Sequence, residues 1–166
     1  MKSTDKKIEE TKMGFNDDNT LIADIGSDML GLMKNALDEL GAEGKTVVIT
    51  DPYLYSTHND QTYIANIIDI LTGLKASKII YATSGKIQDS VMENQVISAL
   101  NAQGCEYEKK TAPKIHDRYW LCVENKKAVE TGTSLNGIGK KISRIDNVSE
   151  GDVASLINIL HTQMVI

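Results

Sequence analysis

The chain has 166 residues, 41% hydrophobic and 25% charged, which suits one globular domain with a substantial core. No apolar run approaches the roughly 18 residues of a membrane span. The polar start MKSTDKKIEETKMGFNDDN lacks the apolar stretch of a secretory signal, and the net charge of −5 argues against a dedicated duplex nucleic-acid binder.

Residues 1–16 mix charges and turn formers without periodicity and read as a disordered or loosely docked tail, leaving 17–166 as a single domain. Asp17, Asp18, Asn19 and Thr20 offer caps for a helix running to about Leu40, with Leu21, Ile25, Met29, Leu32, Met33, Ala36, Leu37 and Leu40 on one face. Thr46–Thr50 is a short, β-branched run that reads as a central strand, ending at the turn signal Asp51-Pro52-Tyr53. A helix is predicted over 61–74, a second buried strand over 78–83, and a third helix over 88–102 with Val91, Met92, Val96, Ile97 and Leu100 inward. Strands follow at about 106–111, 118–124, 128–132 and 141–145. A last helix starts at Ser149, where Ser-x-x-Asp152 forms a variant capping box. This order predicts an α/β fold, a mixed sheet between two layers of helices. In such sheets ligands gather at the carboxyl ends of the parallel strands, which marks Asp51, Tyr53 and Ser84 as cleft residues.

Cys105 and Cys122 have no CxxC spacing and read as reduced core residues of a cytoplasmic protein. Gly-rich phosphate loops, zinc spacings and a GxSxG elbow are all missing from the sequence. Neither a metal nor another cofactor is expected. Of the three histidines, His58 reads as a surface-loop residue and His161 as structural. Charge is uneven: Cys105–Ile145 holds nine Lys/Arg against five Asp/Glu, while the rest of the chain is strongly acidic. A basic segment on an acidic body suits a locally gathered anion.

Lys114–Gly139 lies inside that segment and reads as two strands joined by the turn Glu124-Asn125-Lys126-Lys127. A hairpin brings its outer ends together, so His116 and Arg118 should meet Ser134 and Asn136. An imidazole, a guanidinium, a hydroxyl and an amide make a suitable set for a phosphodiester. Tyr119 and Trp120 follow Arg118, one facing the core and the other outward.

His116-Asp117-Arg118, then Glu124, then Gly132 followed by Ser134-Leu135-Asn136, resembles the phospholipase D superfamily over roughly residues 45–160. The family motif is His-x-Lys, an acid some residues on, and Gly-Ser-x-Asn after a second strand. Here arginine replaces the lysine, Glu124 stands one residue late, and Thr133 is inserted before the serine. The resemblance implies a phospholipase D-like fold and metal-independent phosphodiester chemistry in which one histidine attacks phosphorus and a second protonates the leaving group. It implies that Arg118, Ser134 and Asn136 hold the phosphate, and that Asp146 or Glu150 orients the imidazole. Because the chain has a single His-x-[Lys/Arg], the resemblance implies a homodimer with both His116 side chains at its axis. Nucleic acid is the favoured phosphodiester over lipid. The chain also resembles the phospholipase D-like C-terminal domains of MIT-domain proteins, which implies the alternative of a module that binds phosphate ligand, lipid or protein without cleavage. A purely structural role for His116 is the third reading.

Overall fold

A computed structural model describes residues 20–56, 60–84 and 88–166. The expected tail, Asp17–Asn19 and His58 lie outside the described residues. Seven strands form one sheet: β1 (Thr20–Ala23), β2 (Thr46–Thr50), β3 (Lys78–Thr83), β4 (Glu106–Thr111), β5 (Arg118–Cys122), β6 (Lys127–Thr131) and β7 (Ser143–Asn147). Four helices accompany them: α1 (Met29–Asp38), α2 (Gln61–Gly73), α3 (Ser90–Ala102) and α4 (Glu150–Thr162). The sheet order is β1-β7-β6-β5-β2-β3-β4, parallel from β2 to β4 and antiparallel from β2 through β5, β6 and β7 to β1. The fold is therefore mixed α/β, as the alternation of elements predicts.

Two apolar cores flank the sheet. One face packs Val47, Ile49, Ile79, Tyr81 and Trp120 against α1, α2 and α3. The other packs Val48, Ile80, Leu121 and Ala128 against Val153, Leu156 and Leu160 of α4. The sheet advances in one direction from β2 to β4, so crossovers of one hand put α2 and α3 on the same side. Cys105 and Cys122 are both buried and unpaired.

The start of the chain corrects the sequence reading. Thr20–Ala23 is not helical but an edge strand antiparallel to β7, with Leu21 and Ala23 buried and Ile22 exposed. Gly26, at φ +86, sits in the left-handed region where a helix interior cannot continue, and α1 begins only at Met29. In α3, Val91 is exposed and Glu93 is buried in its place, opposite to expectation. Burial of Glu93 is tolerated because the Tyr107 hydroxyl (2.7 Å) and Lys109 Nζ (2.9 Å) both donate to its carboxylate. Ser149 does cap α4, accepting from the Asp152 amide at 3.3 Å. The far edge, β4, is charged: Lys78 and Lys110 hold Glu108 at 2.8 and 2.9 Å and pull its carboxyl down to about 2. Such an edge resists pairing with another strand.

Candidate functional site

Every strand direction converges on one rim of the sheet. β2, β3 and β6 end there, and β5 and β7 begin there, so Asp51, Ser84, Arg118 and the 132–142 loop share it. Two bonds seat Arg118 at the entry to β5: Thr50 Oγ1 donates to the Asp117 carbonyl (2.8 Å) and accepts from the Tyr119 amide (2.9 Å).

The turn after β2 is irregular, and buried irregular backbone needs partners for its carbonyls. Side chains supply three of them. The Tyr81 hydroxyl donates to the Asp51 carbonyl (2.7 Å), Gln88 Nε2 to that of Pro52 (3.1 Å), and the Tyr63 hydroxyl to that of Leu54 (2.8 Å). These three residues make the turn a fixed platform. Sequence reasoning assigned Tyr63, Tyr81 and Gln88 no role here. A tyrosine in an otherwise aliphatic buried strand such as Lys78–Thr83 was the available signal, since a buried phenol needs a partner.

The loop after β6 closes over this platform through a short helical turn at Leu135–Gly137. Ser134 Oγ donates to Asp51 Oδ1 at 2.6 Å, and Asn136 Nδ2 donates to Ser56 Oγ at 3.2 Å. Gly139, at φ +86, lies against the Ser27 carbonyl with no room for a side chain, and its own carbonyl accepts from the Gly26 amide at 2.6 Å. Arg118 Nε donates to Ser134 Oγ at 3.4 Å, and its guanidinium carbon stands 5.8 Å from the ring centre of Tyr53, within cation–π range. The terminal nitrogens of Arg118 make no hydrogen bond to a described residue.

Beneath this group sits Asp51, only 1% exposed. Its Oδ1 accepts from Ser134 and from the Tyr53 amide (2.8 Å), whereas Oδ2 is buried with no partner among the described residues. Burial pushes the carboxyl above the ordinary carboxylate range, against the lowering pull of Ser134, the Tyr53 amide and Arg118.

The structure thus brings together Arg118, Ser134, Asn136, Asp51 and Tyr53. Ser84 is half-buried at the same rim. His116 is exposed, makes no hydrogen bond or ion pair with a described residue, and lines a cleft of about 400 Å3 on the α4 side with Asp117, Tyr119, Glu130 and Asp152. Lys114 also lines that cleft, but its carboxylates, Asp117, Glu130 and Asp152, outweigh it. Burial, with Asp117 and Asp146 close by, raises the Glu130 carboxyl, and burial followed by Glu130 and Asp117 pushes the Tyr119 phenol up to about 12.

Glu124 does not join the site. It lies at the turn end of the hairpin, on the opposite rim, because the strand that carries Arg118 runs away from it. There both carboxylate oxygens accept from the Thr46 amide (2.9 and 3.1 Å) and staple the hairpin to β2. Glu124→Ala is expected to cost about 1 kcal/mol of stability and to leave ligand binding at the other rim unchanged, as denaturant titration and calorimetry would show. Asp146 lies one residue pair below the Arg118 row, opposite Glu130, with an ion pair to Arg144 at 3.6 Å. Among the described residues, no cluster of three or more His, Cys, Asp or Glu is arranged to hold a metal ion. No helix among them is long and apolar enough to cross a membrane.

The chain matches no protein-family model and no curated protein. Solved structures do resemble it. A polyphosphate kinase from Porphyromonas gingivalis aligns over 87% of this chain at 9% identity and a TM-score of 0.51. TrmBL2, an archaeal chromatin protein whose structure shows a novel mode of DNA binding, aligns over 97% at 10% identity and a TM-score of 0.48. This chain spans 26% and 60% of those two chains, respectively. At such identities the likeness to the kinase concerns the fold alone.

Proposed function

We propose that the rim cluster binds a phosphodiester and that the chain is a phospholipase D-like phosphodiesterase acting on nucleic acid. The observation that carries this reading is Arg118, held at the mouth of the site by Ser134 and Tyr53 with its terminal nitrogens unengaged by described residues. A planar guanidinium presented in that way matches two non-bridging phosphate oxygens. On the adjoining loop the Asn136 side chain adds an amide, while Ser134, whose one hydroxyl proton goes to Asp51, holds Arg118 in place. Cleavage then rests on His116, exposed at the same rim, meeting the His116 of a second copy across a two-fold axis, one as nucleophile and the other as general acid.

One observation favours the second reading, binding without cleavage. His116 faces the acidic α4 cleft, where Asp117, Glu130 and Asp152 disfavour a phosphate, so the imidazole must turn toward Arg118 before it can attack.

The test is hydrolysis of single-stranded DNA and a chromogenic phosphodiester in EDTA, wild type beside His116→Ala. Cleavage by the wild type, falling by about a thousandfold or more in the variant, is the expected result; removal of a nucleophile costs at least that much. Diester binding with no cleavage by either protein selects the second reading. Cleavage that survives in the variant rules out His116 as the nucleophile.

A further inference from the structure

Asp51 is an unusual group to find beneath a phosphate site. It is essentially inaccessible to solvent, and one of its two oxygens has no partner among the described residues. Its other oxygen holds the serine on which Arg118 rests. Among the described residues, the charged group that acts on it is Arg118 from β5; the phenols of Tyr63 from α2 and Tyr81 from β3 stand nearby, and Tyr53 and Ser134 contribute hydrogen-bond donors. An ionised Asp51 and the Arg118 guanidinium would balance each other's charge. A singly charged diester upsets that balance by adding a second anion in a region where burial already works against the first.

Resting on the phosphodiester-binding reading above, we infer that the site takes its ligand together with a proton, which passes from solvent to Asp51, so that the ligand's charge replaces the carboxylate's as the partner of Arg118. One proton is taken up, no bond to the ligand forms, and the neutral carboxyl remains in the site. The upward push that burial already exerts on this carboxyl works in the same direction. The site therefore selects a singly charged diester. A dianionic monoester brings one charge more than Arg118 and a protonated Asp51 can balance.

The sign follows from linkage. An anion that raises the carboxyl's pKa binds best where Asp51 is already protonated. Its affinity falls by about tenfold per pH unit between the free and the bound pKa, then levels off. The probe is diphenyl phosphate, which stays singly charged through the acid to mildly alkaline range. Isothermal titration of the full chain in two buffers of different ionisation enthalpy counts the protons taken up, and the same titration across pH gives the slope. Wild type is expected to take up close to one proton within the sloping range. Asp51→Asn is expected to bind with a flat pH profile and, at mildly alkaline pH, more tightly than wild type.

Wild-type binding with no proton uptake and a flat profile would overturn the inference and leave the phosphodiester site standing. A slope that persists in Asp51→Asn but disappears in His116→Ala would also overturn it, by assigning the proton to the imidazole. If the wild type fails to bind the diester at any pH, the underlying reading fails first. The proton count needs no variant, so a poorly folding Asp51→Asn chain does not spare the inference.

Discussion

Arg118→Ala is expected to weaken diphenyl phosphate binding by on the order of a hundredfold, while circular dichroism and the unfolding midpoint stay close to wild type. The magnitude follows from two charge-assisted hydrogen bonds to phosphate oxygens at the low end of their range, about 1.5 kcal/mol each, as suits a guanidinium at the mouth of a site. The fold should tolerate the loss because the side chain's one bond within the described protein, to Ser134, is long at 3.4 Å, and its stacking on Tyr53 is at the surface. Arg118→Lys keeps the charge but gives up the planar fork, so about a tenfold loss is expected. A titration in which Arg118→Ala binds as well as wild type would remove the central element of the proposed site. Glu124→Ala is the matched control, an acid from the same hairpin whose bonds lie at the opposite rim.

The second large effect concerns stability. Trp120→Ala should lower the unfolding free energy by about 3–5 kcal/mol, the usual cost of emptying a fully buried aromatic site. Trp120 is 0% exposed and paired in register with Ile49 on one side and Val129 on the other, at the centre of the core that faces α1, α2 and α3. Out of the 5–15 kcal/mol typical of a domain, that loss is large enough to show as a clear drop in the urea midpoint followed by circular dichroism. Trp120→Phe should cost less than the alanine change, because much of the volume remains and the indole Nε1, buried without a partner among the described residues, is removed. A loss below about 1 kcal/mol for the alanine variant would mean that this part of the core collapses around the gap.

Much of the fold was legible because its central strands are short, β-branched and apolar on both sides, a pattern only a covered sheet explains. Thr46–Thr50 and Lys78–Thr83 were both bounded to the residue from that signal. The first strand was not. Thr20–Ala23 is four residues long, too short for alternation to stand out, and its Leu21 continues the helical spacing of Ile25 and Met29. Only the pairing with β7, more than a hundred residues away, decides the matter. Within the site, the convergence of Arg118, Ser134 and Asn136 with Asp51 and Tyr53 follows from hairpin and strand-end geometry, both of which a sequence can convey. The place of Glu124 could not be read from motif spacing, since its role depends on an amide donated by β2. The direction of His116 was equally hidden: it sits in the loop just before β5, where the two-residue alternation that fixes side-chain faces within a strand does not yet apply.

The pairing of β1 with β7 has a consequence for how the molecule is made. It completes one edge of the sheet by joining Leu21 to Ile145, a contact between residues far apart in sequence. Such contacts carry the greatest loop-closure entropy and form late. On a ribosome, the β2–β3–β4 unit can assemble with α2 and α3 as soon as it emerges, whereas β1, the first of the described strands, must wait for β7, the last of them. During that interval its open backbone edge and Ile22 are available to other chains, so this short amino-terminal strand is where the nascent protein is most exposed to mispairing.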